Sequence, residues 1–188
     1  MKKLNIADWF SVYRIIATPF LLLLIFLDLK NIFIWLLLLS FLTDMIDGII
    51  ARALKIVSEQ GAKLDSYGDL LTYLVAIVGV FRFEWDFVRE NFISVLLVAG
   101  LYFLQLLFAF WRYGKPSSFH TYLTKAAAIA LGTFIMVLFV FGFQAWLFYT
   151  TVVLAILDAA EEIIITIIFP EWKTDVKGLY WMLKKNRT

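Results

Sequence analysis

The sequence has no cysteine, one histidine and three prolines in 188 residues. Without cysteine there are no disulfides, no thiol chemistry and no Cys-based metal site. A lone His120 cannot build an imidazole cluster for zinc. Charge is scarce as well, at 17% of the chain against 63% hydrophobic and 18% aromatic residues, a composition far outside that of soluble domains. The net charge of +2 is small, and no nucleic-acid partner is expected. No fixed-period repeat, low-complexity segment or linker breaks the chain, so residues 1–188 read as a single membrane domain.

What fills the sequence is apolar runs of bilayer-spanning length. Taking about twenty residues per span gives six, near 12–27, 31–50, 64–81, 92–111, 123–143 and 145–169. The fold class is therefore all-α, a polytopic membrane protein with six transmembrane helices and a short N-terminal juxtamembrane amphipathic segment. The first run has no short apolar core with a small-residue cleavage site, and reads as a span rather than a removed signal peptide. Pro170 stops the last span, and the tail beyond it carries Trp172, Tyr180 and Trp181, residues that favour the interface. Six spans put both termini on one side. Of the 17 basic residues all but Lys30, Arg82 and Arg89 fall on that side, so both termini are expected in the cytoplasm, in a bacterial inner membrane.

One polar stretch stands against this background. It reads Asp44-x-x-Asp47-Gly48-x-x-Ala51-Arg52, and after a short connection Gly61-x-x-x-Asp65-x-x-x-Asp69. Spacings of three and four return to one helix face, so Asp44 neighbours Asp47 and Asp65 neighbours Asp69. If the two helices pack together, four carboxylates converge. Near lipid such a set repels itself unless a counter-charge is supplied, and hard oxygen ligands point to Mg²⁺ or Mn²⁺. Gly48 and Ala51 leave room for a ligand on the carboxylate face. Arg52 offers a planar fork suited to phosphate oxygens, and Gly61 allows close backbone approach. Small residues at this spacing also serve plain helix packing.

The pattern D-x-x-D-G-x-x-A-R, about eight residues, then G-x-x-x-D-x-x-x-D resembles the signature of the CDP-alcohol phosphotransferases, with every fixed position filled. The resemblance implies that Asp44, Asp47, Asp65 and Asp69 bind two divalent ions, Mg²⁺ or Mn²⁺, and that Asp69 is also the catalytic base. It implies that Gly48, Ala51, Arg52 and Gly61 hold the CDP portion, and that the enzyme is a homodimer. The implied reaction moves a phosphatidyl group from CDP-diacylglycerol to a polar alcohol with release of CMP, in phospholipid biosynthesis. The opening Ser11-x-x-Arg14, with Pro19 five residues on, is similar to the family's usual start. Arg14 there reads either as part of the cytoplasmic mouth or as a snorkelling interfacial arginine.

Two further polar places remain. Arg112 to Tyr122, with Lys125 just beyond, gathers cations and hydroxyls on the motif's side of the membrane. Arg112 and Lys125 would suit an acceptor phosphate, and a solvated loop against anionic lipid is the plainer reading. Members of the family that make phosphatidylglycerophosphate tend to carry a G-K-x-K-T run here. This chain has Tyr122-Leu123-Thr124-Lys125-Ala126, which keeps one lysine. Glycerol 3-phosphate is the favoured acceptor, with phosphatidylinositol, phosphatidylinositol phosphate and phosphatidylserine synthesis as alternatives. Asp158, Glu161 and Glu162, deep in the sixth span, should face the bundle, protonated or paired with a cation such as Arg14 or Lys125. A cation transporter would also use intramembrane carboxylates, but the outer halves of the spans are nearly free of charge and Gly48, Ala51 and Arg52 would have no task in it.

Overall fold

The computed structural model of the protein describes residues 6–53, 59–114, 117, 119, 121–171 and 176–185. Among these residues all regular structure is helical and there is no strand. The helices are α1 (Ile6–Phe26), α2 (Lys30–Ala53), α3 (Glu59–Phe83), α4 (Trp85–Glu90), α5 (Phe92–Tyr113), α6 (Tyr122–Phe141), α7 (Ala145–Ile168) and α8 (Leu179–Lys185). Three of them contain stretches long and apolar enough to cross a membrane, Trp9–Phe26, Phe92–Tyr113 and Tyr122–Phe141. The expected juxtamembrane segment and first span form one continuous helix, α1. Helices α2 and α3 also run past the apolar stretches that the sequence marks, carrying the polar motif on regular helix at both ends of its connection. The short helices α4 and α8 carry no strong periodic signal.

The chain folds as two compact units, Met1–Asp86 and Phe87–Thr188. In the first, α1 packs against both α2 and α3. Residues at spacings of three and four supply the shared core: Ala17, Leu21 and Ile25 on α1, Phe33 and Leu37 on α2, Val75, Ala76 and Val80 on α3. Gly79 makes the last layer possible, because a Cβ there would lie 2.6 Å from Phe33 Cε1. Above this apolar floor the same faces turn to buried hydroxyls, Thr18, Ser40 and Thr72. Thr18 and Ser40 bond carbonyls one turn back, at Arg14 and Leu36, which satisfies a hydroxyl inside a helix bundle without a partner helix. Pro19 removes one helix donor beside Thr18. At the far end, Asp28 pairs with Arg82 at 3.1 Å and Lys30 with Glu84 at 2.6 Å, so two of the three basic residues assigned to that end carry their own counter-charge.

In the second unit, α7 packs against α5 and α6, and α8 against α7. Phe87, Phe134, Phe143 and Phe148 form an aromatic cluster with centroids 5.3 to 5.6 Å apart. Helix α5 ends on Gly114 at φ 68°, where a left-handed residue closes the last turn through its N–H to Phe110 O at 2.8 Å. Helix α6 starts on Thr121, whose hydroxyl accepts from Thr124 N at 3.1 Å.

Candidate active site

Packing α2 and α3 on α1 brings Asp44, Asp65 and Asp69 together, with one oxygen of each within 4.8 Å of the others. The expected convergence holds for these three carboxylates. The side chains of the fourth, Asp47, and of Gly48, Ala51 and Arg52 lie outside the described residues. Gly61 is at the start of α3 and half-buried.

Between the carboxylates sits the guanidinium of Arg14. Its Nη1 donates to Asp44 Oδ1 and Asp69 Oδ1, and Nη2 to Asp65 Oδ1. Arg14 is 1% exposed, so it is no snorkelling arginine but the inner wall of the cluster. The planar fork explains the choice of residue, since one guanidinium can bridge several carboxylates where an ammonium is a point charge. Helix α3 comes close enough because of Gly68: a Cβ there would stand 3.3 Å from Arg14 Cζ and 3.5 Å from Ser11 O. The sequence places Arg14 at the cytoplasmic mouth or the interface without naming the aspartates as its partners, and gives Gly68 no role. The hydroxyl-x-x-Arg opening and a glycine beside Asp69 were the signals present.

The carboxylates are 35, 39 and 33% exposed, so the cluster is closed by α1 on one side and open on the other. Three carboxylates against one guanidinium leave a local charge of −2 if all ionise. A buried arginine therefore offsets only part of the repulsion, and among the described residues the cluster presents hard oxygen donors, which is the chemistry that suits Mg²⁺ or Mn²⁺. Tyr73, one turn beyond Asp69, packs its ring on Phe41 of α2 at 5.6 Å and borders the same layer.

The α7 acid Glu162 is buried, as expected, but of the two forms of compensation expected for these acids the cation is not the one found. Among the described residues their partners are neutral donors rather than cations. Glu162, 3% exposed, accepts from Gln105 Nε2 at 2.6 Å and Ser117 Oγ at 2.7 Å. Asp158 accepts from Thr124 Oγ1 at 2.7 Å, and Glu161 from Thr121 Oγ1 at 2.7 Å and the Leu179 N–H at 2.9 Å. Arg14, one of the two cations expected to pair with them, is bonded to the aspartates of its own unit. Arg112 closes α5 and Lys125 lies in the first turn of α6, both exposed.

Comparison with known proteins adds the family. Residues 4–157 match the family model described as CDP-alcohol phosphatidyltransferase, a span that holds the whole aspartate motif and Arg14. No curated protein matches, and neither does any solved structure. With a match over most of its length and a carboxylate cluster built by the residues of the motif, this chain belongs to the CDP-alcohol phosphatidyltransferase family, membrane enzymes of phospholipid synthesis that transfer substituted phosphate groups.

Proposed function

We propose that the protein transfers the phosphatidyl group of CDP-diacylglycerol to glycerol 3-phosphate and releases CMP. The observation that carries this reading is the cluster of Asp44, Asp65 and Asp69 around Arg14, with its open side lined by carboxylate oxygens. Asp44, Asp47, Asp65 and Asp69 are the residues that would hold the two divalent ions, Mg²⁺ or Mn²⁺, which when bound neutralise charge on the pyrophosphate. Gly48, Ala51 and Gly61 leave room for the CDP portion, and Arg52 takes its phosphate oxygens. Asp69 accepts the proton of the acceptor hydroxyl. The freed oxygen attacks the phosphorus that bears the lipid, and the bond from that phosphorus to the CMP oxygen breaks, the electron pair leaving with CMP. Arg14 fixes the spacing of the carboxylates from within, so the base does not swing during the transfer.

Six membrane spans, one catalytic domain running through both compact units, and a homodimer complete the reading. The family match extends over both units, which supports one domain. The distribution of basic residues supports a cytoplasmic site and cytoplasmic termini in a bacterial inner membrane. A cysteine at Ser58 should then be labelled by an impermeant reagent only from the cytoplasmic face, and one at Asp86 only from outside. The opposite pattern would reverse the orientation.

The acceptor is tested by offering labelled glycerol 3-phosphate, inositol, inositol 1-phosphate and serine with CDP-diacylglycerol, with Mg²⁺ and after exhaustive chelation. Glycerol 3-phosphate should be incorporated, and only with the ion. Arg112 and Lys125 are assigned to its phosphate. A charge-assisted bond to phosphate contributes about 1.5 to 3 kcal/mol, so Lys125→Ala should weaken acceptor use roughly ten- to a hundredfold and leave the donor's KM alone. Incorporation of an unphosphorylated alcohol alone would remove these two residues from the acceptor site.

A further inference from the structure

The family match ends at residue 157, and Asp158, Glu161, Glu162 and all of α8 lie beyond it. These residues are not a loose tail. The Glu161 carboxylate joins the starts of two helices: one oxygen accepts from Thr121, the residue that caps α6, and the other from the N–H of Leu179, the first residue of α8. Two backbone bonds run beside it, Val176 N–H to Phe119 O at 2.8 Å and Tyr122 N–H to Lys177 O at 3.3 Å. Beneath them Phe119, Ile165, Phe169 and Met182 form a buried cluster, with Phe119 and Ile165 fully inaccessible. Tyr113 packs on Phe119 and donates its hydroxyl to Phe169 O at 2.7 Å, so the end of α5 is drawn into the same knot. Trp181 lies edge-on to Tyr122 at 5.6 Å. Gly178 is required at the joint, because its φ of 145° suits glycine and a Cβ there would lie 3.0 Å from Glu161 Oε1.

The residues so held, Ser117, Phe119 and Thr121, belong to the connection between α5 and α6. Left to itself, a polar connection between two apolar helices is mobile, and ordering it costs conformational entropy. Here Ser117 is tied to Glu162, Phe119 is fully buried and Thr121 is tied to Glu161.

We propose that Glu161 is a positioning residue which clasps residues 176–185 onto the α5–α6 connection, so that a segment outside the family match sets how the acceptor is held. The link to the acceptor rests on the reading above, in which Arg112 and Lys125, at the two ends of this connection, take the acceptor phosphate. The clasp itself does not depend on that reading.

The experiment measures backbone hydrogen exchange and steady-state kinetics on the full-length protein in detergent–lipid micelles, for Glu161→Ala, Glu161→Gln and Gly178→Ala, with Tyr180→Ser on the exposed side of α8 as control. The informative amides are Val176 and Tyr122, which do not bond Glu161 themselves. In Glu161→Ala they should exchange at least about tenfold faster, and KM for the acceptor identified by the panel should rise about tenfold with donor KM within about twofold. Gly178→Ala should do the same by a different route. Glu161→Gln keeps a carbonyl oxygen and should fall between Ala and the parent, and Tyr180→Ser should match the parent. Unchanged exchange at Val176 and Tyr122 in both Glu161→Ala and Gly178→Ala overturns the clasp. Faster exchange with an unchanged acceptor KM overturns its role in acceptor binding. Should Lys125→Ala leave acceptor use intact, the phosphate assignment fails alone, and the exchange data still decide the clasp.

Discussion

Asp69→Asn is expected to lower kcat by about a hundred- to ten-thousandfold, the range over which a positioned general base contributes. Asparagine keeps the size of the side chain and one oxygen able to accept from Arg14 Nη1, so the packing of α1 on α3 should survive. What it loses is the capacity to take a proton from the acceptor hydroxyl, together with one negative charge of the cluster. The measurement is CMP release at saturating CDP-diacylglycerol and Mg²⁺, beside a thermal melt that verifies the fold. Asp65→Asn provides the contrast, since Asp65 bonds the same arginine through Nη2 and is assigned no proton-transfer step. It should raise the Mg²⁺ concentration needed for half-maximal rate, and excess Mg²⁺ should recover much of the activity, whereas excess Mg²⁺ should recover little in Asp69→Asn. Equal recovery in the two variants would reduce Asp69 to a ligand like its neighbours.

The carboxylate cluster could be read from sequence because its information is local. Spacings of three and four within Asp44 to Asp69 fix which side chains share a helix face, and the short connection between α2 and α3 brings the two faces together. The helices themselves were legible for the same reason. Long apolar stretches admit few alternatives in lipid, where backbone groups must be satisfied within the helix.

Arg14 was not legible in this way. Its partners are 30, 51 and 55 residues away, and the Ser11-x-x-Arg14 opening by itself does not separate a buried arginine from one that reaches the interface. The neutral partners of the α7 acids were hidden for a related reason. A carboxylate in an apolar segment demands compensation, and sequence suggests a cation first because opposite charge is the conspicuous partner. Ser117, Thr121, Thr124 and Gln105 supply hydrogen bonds instead, and residues of these types occur throughout the chain without any mark of such a role. Helix α8, only seven residues long, is too short for periodicity to declare itself, and its order comes from Glu161 and the cluster around Phe119.

The same contacts that hid Arg14 make its substitution the most severe expected for stability. Arg14→Met keeps an unbranched apolar stem against Gly68 and removes the charge. Three carboxylates within 4.8 Å then face one another without the guanidinium between them. Breaking a buried ion pair by removing one partner costs roughly 3 to 5 kcal/mol, and the lower end applies because about a third of each carboxylate is exposed. In chelator the variant should therefore unfold at markedly lower temperature or denaturant concentration than the parent. Mg²⁺ should raise its midpoint by more than it raises the parent's, because in the variant the ion takes over the charge that the guanidinium supplied between the three carboxylates. Arg14→Lys should lie between the two, since an ammonium cannot bridge three carboxylates in the fixed geometry of the guanidinium fork. A double-mutant cycle with Asp44→Asn isolates the pair: if the arginine acts as counter-charge, Asp44→Asn should cost less in the Arg14→Met background than in the parent. Equal costs in the two backgrounds, with an unchanged midpoint for Arg14→Met in chelator, would mean that helix packing alone holds the aspartates together.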